Sequence, residues 1–176
     1  MTKRGYGCGP VFETDMIPPM PESSISIDSI LSPELTFCKV AGSSKKRILE
    51  LIAEKVAAQI PGLDEGQIFN NLVGRERLGS TGIGQGIAIP HCRLEGSDRV
   101  IGVMLTLDEG ISFDAIDNQP VDLLFTLIVP KEATGEHLEL LSQLAETFND
   151  QDFCEWLRES PDSDTLYQRM IRSASR

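Results

Sequence analysis

Positive charge and long apolar runs are both scarce in this sequence. Its 16 lysines and arginines are outnumbered by 27 aspartates and glutamates, which gives a formal net charge of −11. A chain with this charge repels nucleic acid and anionic membrane surfaces, so we expect neither as a partner. No apolar stretch approaches the roughly 20 residues that a membrane-spanning helix needs, so we expect no membrane insertion. The first residues carry no secretory signal, which predicts a cytoplasmic protein.

Cysteine and histidine are also scarce, and their spacing does not favour a metal site. The four cysteines are scattered and form no C-x-x-C pair, which predicts free thiols in a reducing compartment. Only two histidines are present. The one close pairing of the two residue types is His91 and Cys92, whose side chains diverge on a strand. We therefore predict no bound metal.

The composition separates a tail from one domain. Residues 1–24 carry alternating glycines and closely spaced prolines without any apolar period, which predicts a disordered N-terminal tail. Residues 25–176 are long enough for one domain with its own core. The runs RVIGVMLTL and VDLLFTLIV are nearly continuous in apolar residues, which is typical of buried strands. Helical patterns precede and follow them, so the fold class is α/β and layered.

Capping signals and apolar spacing predict four helices. The segment SSKKRILELIAEKVAAQIPG has an apolar stripe, a capping Ser43 or Ser44, and a Pro-Gly stop. The segment DEGQIF begins a second helix with Asp64 as its N-cap. The segment EHLELLSQLAETF follows the second strand, with Thr134 as its cap, and DSDTLYQRMIR forms a short closing helix.

One loop concentrates glycine just before a histidine, in GSTGIGQGIAIPH at positions 79–91. Glycine permits positive φ and lets backbone N–H groups converge on an anion, most often a phosphate. The spacing matches neither the P-loop nor the G-x-G-x-x-G fingerprint of nucleotide sites. The loop therefore predicts either a phosphoryl site without a nucleotide or a tight structural turn. The candidate phosphoryl-binding residues are Ser80, Thr81, Gly82, Gly84 and Gly86.

Both histidines follow predicted strands. Pro90 restricts the backbone and places His91 at the end of a short strand, where sites gather in layered α/β sheets. A neutral imidazole nitrogen can accept a phosphoryl group covalently. His137 lies in the first turn of a predicted helix, where the helix N-terminus attracts anions. The alternative for each is a histidine without a functional role.

Two further side chains leave alternatives open. Arg75 and Arg77 lie just before the loop, and a guanidinium there either forks onto phosphate oxygens or complements the helix dipole. Spacing does not decide which arginine faces a site. A nucleophilic pair of Cys92 and His137 is a further alternative, although any thiol and imidazole can be paired in this way.

The joined block RERLGSTGIGQGIAIPH resembles the enzyme IIA domain of the bacterial phosphotransferase system, and most closely its nitrogen-regulatory branch. The segments FDAIDNQPVDLLFTLIVP and HLELLSQLA resemble later blocks of the same family, so the likeness extends over about residues 25–172. The resemblance implies a three-layer domain with a mixed parallel and antiparallel sheet, flanked by helices on both faces.

Matching positions carry the family's site onto this chain. The resemblance implies that His91 is phosphorylated, that His137 supports the phosphoryl group, and that Arg75 rather than Arg77 is the site arginine. It implies an HPr-type phosphohistidine protein as donor, and a covalent phosphohistidine that needs no cofactor. Cys92 stands where the family often has glycine, and its thiol raises the hypothesis of redox sensitivity.

The resulting hypothesis is a regulatory phosphocarrier. Its phosphorylation state would regulate nitrogen metabolism and potassium homeostasis through targets such as kinases or potassium transport components. Two alternatives remain. One is a binding module with the same fold that works without phosphorylation, and the other is the IIA component of a fructose- or mannitol-type uptake system.

Overall fold

Two long antiparallel strands form the centre of a six-stranded sheet. The computed structural model describes residues 25–133 and 135–172. The predicted tail, residues 1–24, and the predicted cap Thr134 lie outside the described residues. The strands in chain order are β1 (Thr36–Val40), β2 (Gly82–Gly84), β3 (Ile87–Ala88), β4 (His91–Leu94), β5 (Ile101–Ile111) and β6 (Val121–Pro130). The helices are α1 (Ile27–Ile30), α2 (Lys45–Gln59), α3 (Glu65–Glu76), α4 (Glu136–Phe148), α5 (Gln151–Arg158) and α6 (Ser163–Ile171).

The sheet mixes parallel and antiparallel pairs, as the family resemblance implies. Its order is β1-β5-β6-β3-β2, with β4 also paired to β6. Strand β1 runs parallel to β5, and both β3 and β4 run parallel to β6. The pairs β5–β6 and β2–β3 are antiparallel. The antiparallel central pair consists of the two apolar runs that the sequence predicts as strands.

Helices cover both faces of this sheet, which confirms the three-layer fold. On β5, Val103 and Leu105 belong to the core cluster that contains α2 and α3. Met104, between them, belongs to the opposite cluster with α1, α4, α5 and α6. Successive strand side chains point to opposite faces, so a strand buried on both sides must be apolar at every position. Among the helices of the described residues, none has the length and apolar character that a membrane crossing requires.

Two predicted N-caps are present, at α2 and α3, whereas the N-cap position of α4 is Gly135, which makes no side-chain capping bond. Ser44, rather than Ser43, caps α2, because its side chain accepts a hydrogen bond from the Arg47 N–H. Asp64 caps α3 by accepting from the Gln67 N–H at 2.8 Å. The predicted helices of the first three segments and of the C-terminal segment are all present.

The chain around Pro90 differs from the prediction. Strands β3 and β4 lie in one register along β6, with Ile87 opposite Leu123 and His91 opposite Leu127. Pro90 lacks an N–H, but its carbonyl still accepts from the Leu127 N–H at 2.9 Å. The extended chain therefore continues past the proline, and the prediction that His91 ends a strand was wrong. His91 is the first residue of β4.

Candidate active site

A cleft of about 670 Å³ lies where β4 passes between α3 and α4. Three residues that the sequence predicts for one site line it together: Arg75 from the end of α3, His91 from β4, and His137 from the first turn of α4. Arg93 lines the same cleft. Three strand and helix ends thus bring two imidazoles and two guanidiniums to one side of the protein.

The hydrogen bonds of His91 select one tautomer of its ring. Nδ1 lies 2.9 Å from the carbonyl oxygen of Ile89, which can only accept, so Nδ1 carries the proton and donates. Nε2 accepts a hydrogen bond from Nε of Arg75 at 3.2 Å. A guanidinium has donors only, so Nε2 must present its lone pair. The neutral ring therefore holds an unprotonated nitrogen toward Arg75.

The surroundings of His91 favour this neutral form. Burial lowers the pKa of His91 below its usual value of 6.5, because a charged imidazolium loses hydration there. The hydrogen bond to the Ile89 carbonyl opposes that shift, whereas the charges of Arg75 and His137 lower the pKa further. At neutral pH the lone pair on Nε2 is thus available as a nucleophile.

The structure decides between the two arginines at the end of α3. Besides its contact with His91, Arg75 donates from Nη1 to the carbonyl oxygen of Gly79 at 2.9 Å. Arg77 instead lines a second cleft on another side of the helix, together with Lys46. Of these two arginines, only Arg75 contacts His91 and lines the cleft of the two histidines, and the Gly79 carbonyl holds its side chain.

The glycine-rich loop does not enter this cleft. The lining residues include none of Ser80, Thr81, Gly82, Gly84 and Gly86. The side-chain donors among them are engaged inside the fold: the Ser80 hydroxyl donates to the Phe113 carbonyl at 2.7 Å, and Thr81 donates to the buried Glu76 carboxylate. The loop is a tight connection between α3 and the β2–β3 hairpin.

Close packing explains why this connection needs glycine. Gly86 has φ of +83°, and a Cβ there would lie 2.8 Å from Nη2 of Arg158. A Cβ on Gly82 would lie 2.8 Å from the Cβ of Ala115. A Cβ on Gly82 would require the Ala115 backbone to shift, and a Cβ on Gly86 would displace the end of the Arg158 side chain, so the glycines allow both neighbours to approach the hairpin.

Arg93 is a site residue that the sequence reasoning missed. Its guanidinium donates to the carbonyl oxygens of Lys131 at 2.9 Å and Ala133 at 2.6 Å. Its Nη2 lies 3.4 Å from Nε2 of His137. The signal was present in the sequence: residues two apart on a strand share a side, so Arg93 follows His91 toward the cleft.

Comparison with known proteins supplies the family. The sequence model described as "Phosphoenolpyruvate-dependent sugar phosphotransferase system, EIIA 2" matches residues 29–173. The chain belongs to this family. The "Nitrogen regulatory protein" of Pseudomonas aeruginosa is 51% identical over 147 residues, which cover 84% of this chain and 96% of that protein.

Two solved structures resemble this enzyme IIA domain. Nitrogen regulatory protein IIA-Ntr from Neisseria meningitidis has a TM-score of 0.74 and 38% identity, and the match covers 82% of this chain and 97% of that one. Escherichia coli mannitol enzyme IIA, in its complex with phosphorylated mannitol enzyme IIB, has a TM-score of 0.66 at 17% identity and shares the fold, over 84% of this chain and 100% of that one. The family membership supports a role in phosphotransfer and interaction with phosphocarrier partners.

The surroundings of Cys92 disfavour a chemical role for its thiol. Its side chain belongs to the core cluster under α2 and α3. Burial raises the pKa of the Cys92 thiol to about 12, so almost no thiolate forms at neutral pH. This disfavours both a Cys92–His137 nucleophilic pair and a redox-sensitive thiol. Within the described residues, histidine, cysteine and acidic side chains form no cluster suited to a metal ion.

Proposed function

We propose that this protein is a cytoplasmic regulatory phosphocarrier that accepts a phosphoryl group on Nε2 of His91 from an HPr-type phosphohistidine protein. The observation that carries the proposal is the state of the His91 ring. Nδ1 is committed to the Ile89 carbonyl, whereas Nε2 keeps its lone pair and faces the Arg75 guanidinium. A nucleophile beside a fixed cation is the arrangement that acceptance of a phosphoryl dianion requires.

The transfer step is an in-line displacement. The lone pair on Nε2 of His91 forms the new N–P bond while the N–P bond of the donor breaks. The bonding electron pair returns to the donor's imidazole nitrogen, which takes up a proton from water, while the His91 ring keeps its Nδ1–H on the Ile89 carbonyl and becomes a phosphorylated imidazolium. The donor is already an activated phosphoramidate, so no nucleotide, metal or other cofactor is needed. The product is a covalent phosphohistidine on His91.

Nearby cations then stabilise the transferred group. In the unphosphorylated protein, Nε–H of Arg75 donates to Nε2 of His91. Once Nε2 is bonded to phosphorus it can no longer accept, so Nε–H of Arg75 becomes available to a phosphoryl oxygen. The Gly79 carbonyl holds the other end of the guanidinium, so little reorganisation is needed. His137 lines the same cleft and adds a second donor.

Regulation follows from the difference between the two states of the cleft. Phosphorylation adds about two negative charges at neutral pH and can thereby change which partner binds. The 51% identity to a nitrogen regulatory protein supports a regulatory rather than a sugar-transport role. We propose that the phosphorylation state regulates nitrogen metabolism and potassium homeostasis, through targets such as kinases or potassium transport components.

The decisive experiment is intact mass after incubation with phosphoenolpyruvate and the two upstream carrier proteins, enzyme I and HPr. We expect the mass of one phosphoryl group to be gained and then lost in mild acid, as for a phosphoramidate. His91→Ala should gain nothing, whereas the matched variant His137→Ala should still be labelled, though the label should be lost faster. An unlabelled wild type would favour a module that works by binding alone, and a labelled His91→Ala would place the acceptor elsewhere.

A further inference from the structure

Arg93 connects β4 with the loop before α4 and with the second histidine of the cleft. Its side chain leaves β4 on the same side as that of His91, two positions earlier. Nη1 donates to the carbonyl oxygens of Lys131 and Ala133, which orients the guanidinium in front of α4. The second terminal nitrogen, Nη2, faces the ring of His137. Arg93 thus contacts the site through His137.

This contact favours one position for the proton of His137. Nη2 of Arg93 lies 3.4 Å from Nε2 of His137, and the guanidinium has only donors to offer. A hydrogen bond here requires the lone pair on Nε2, so the neutral ring carries its proton on Nδ1. Nδ1 of His137 is buried and has no hydrogen-bond partner among the described residues. Buried donors without a partner are rare, because nothing replaces the lost bond to water.

We propose that Arg93 is a positioning residue that holds His137 in its Nδ1–H tautomer, so that this N–H donates to the phosphoryl group on His91. The inference rests on the proposed function, since the acceptor is the group that phosphorylation brings. Phosphoryl oxygens accept hydrogen bonds and do not donate them, so an imidazole stabilises them only through an N–H. With Nε2 engaged by Arg93, Nδ1–H is the donor that the neutral His137 ring retains.

The tautomer can be measured without any phosphoryl transfer, because the chain has only two histidines. In the full-length protein with nitrogen-15-labelled histidine, two-bond and three-bond ring correlations distinguish an Nδ1–H from an Nε2–H ring. The His91→Ala variant assigns the His137 signals. We expect the Nδ1–H pattern for His137 in the wild type. An Nε2–H ring there would overturn the proposal.

Substitution of Arg93 then tests the cause. Arg93→Met removes every donor while keeping a chain of similar reach, and we expect His137 to lose its single Nδ1–H pattern. Arg93→Lys keeps a donor but not the planar set of N–H groups of a guanidinium, so we expect it to retain the Nδ1–H pattern in part, unlike Arg93→Met. The ring of His91, which donates to Ile89, reports in each variant whether the cleft is intact. An unchanged His137 pattern in Arg93→Met would contradict the proposal.

The lifetime of the phosphohistidine separates an action through His137 from a direct one. We expect Arg93→Met and His137→Ala each to shorten that lifetime, by about 10-fold, as the loss of one charge-assisted hydrogen bond predicts. The double variant should decay no faster than His137→Ala alone, because both changes remove the same contact. Multiplying effects would show that Arg93 touches the phosphoryl group itself, which overturns the proposal. If the wild type takes no label, the proposed function fails together with this phosphoryl contact, and the tautomer measurement alone decides whether Arg93 positions His137.

Discussion

The carboxylate of Glu76 accepts two hydrogen bonds from Thr81, with Oγ1 2.6 Å from Oε1 and the backbone nitrogen 3.0 Å from Oε2. Lys45 donates to the same carboxylate at 3.2 Å. The glycine-rich loop thus binds an anion, but this anion is the Glu76 carboxylate of the same protein rather than a phosphoryl group. Glu76 fastens the loop to α3, and the preceding residue, Arg75, reaches the ring of His91 instead.

Loss of the Thr81 hydroxyl should destabilise the protein. In Thr81→Val the shape is kept, but the buried Glu76 carboxylate loses a short hydrogen bond, so we expect the free energy of unfolding to fall by about 1–3 kcal/mol. Ser112→Ala removes a hydroxyl at an exposed position and should change it by less than about 0.5 kcal/mol. Urea unfolding measures both, and equal effects would contradict a structural role for the Thr81–Glu76 bond.

Gly86→Ala should impair folding rather than phosphoryl acceptance. The positive φ is strained for any residue with a Cβ, and that Cβ would also displace the Arg158 guanidinium, so we expect a loss of about 1–3 kcal/mol in the free energy of unfolding. Gly74→Ala, in the last turn of α3 with nothing within 4 Å of the added Cβ, should instead stabilise the protein by roughly 0.5–1 kcal/mol. If Gly86→Ala were fully stable but accepted no phosphoryl group, the loop would have a direct role at the site.

Arg75 should matter for the rate of transfer more than for stability. Arg75→Met removes the donor at Nε2 of His91, and we expect phosphoryl acceptance to slow by about 10- to 100-fold, as a charge-assisted hydrogen bond of about 1.5–3 kcal/mol predicts. Arg77→Met, two residues later, is the matched control and should leave the rate unchanged, because Arg77 lines the other cleft. Rapid-quench measurement of label transfer from phosphorylated HPr compares them. Similar rates for the two variants would argue against the assignment of Arg75 as the arginine that acts on His91.

Phosphoryl acceptance should persist to a pH below the usual pKa of histidine. Burial first, and the charges of Arg75 and His137 after it, lower the pKa of His91, although the Ile89 hydrogen bond opposes them. The neutral nucleophile therefore persists as the pH falls past 6.5, the usual value. We expect the ring signals of His91 to titrate below that value, and Arg75→Gln to raise the midpoint because it removes a cation. A wild-type midpoint at or above 6.5 would contradict the description of the site.

The same shift makes stability depend on pH in a defined direction. Because the folded pKa of His91 lies below the unfolded one, the unfolded chain binds more protons at mildly acidic pH. The contribution of His91 is fully present above 6.5 and declines as the pH falls through that value toward the folded pKa. Unfolding free energies of the wild type and His91→Gln, measured from about pH 8 to about pH 5, should diverge least at the acidic end.

The thiol of Cys92, beside His91, should be dispensable for phosphoryl transfer. Cys92 is buried and its pKa is raised to about 12, so a thiol-directed reagent should modify it only after unfolding. Cys92→Ala should lose some stability through the missing core contacts but accept the phosphoryl group at the wild-type rate. Rapid modification of Cys92 in the folded protein, in step with lost phosphoryl acceptance, would reopen the thiol alternative.

Much of the fold could be predicted because its strongest signals are local. The helices α2 and α3 have capping residues and apolar stripes, and the central strands are continuous apolar runs. The missed elements are all short: α1 has 4 residues, β1 has 5, β2 has 3, β4 has 4 and α5 has 8. Segments this short carry too few periods for a pattern, and β1 is defined by its pairing with β5, far along the chain.

The sequence by itself determined the inventory of the site: two histidines, an arginine before a glycine-rich loop, and a proline that restricts the chain between them. Only the tertiary structure decided how these groups are used. In the folded protein Thr81 of the loop donates to Glu76, and Arg75 rather than Arg77 contacts His91. Arg93 lies beside His137. The physical reason is that a hydrogen bond depends on direction and on a few tenths of an ångström, and both are set by the packing of α3, β4 and α4 rather than by spacing along the chain.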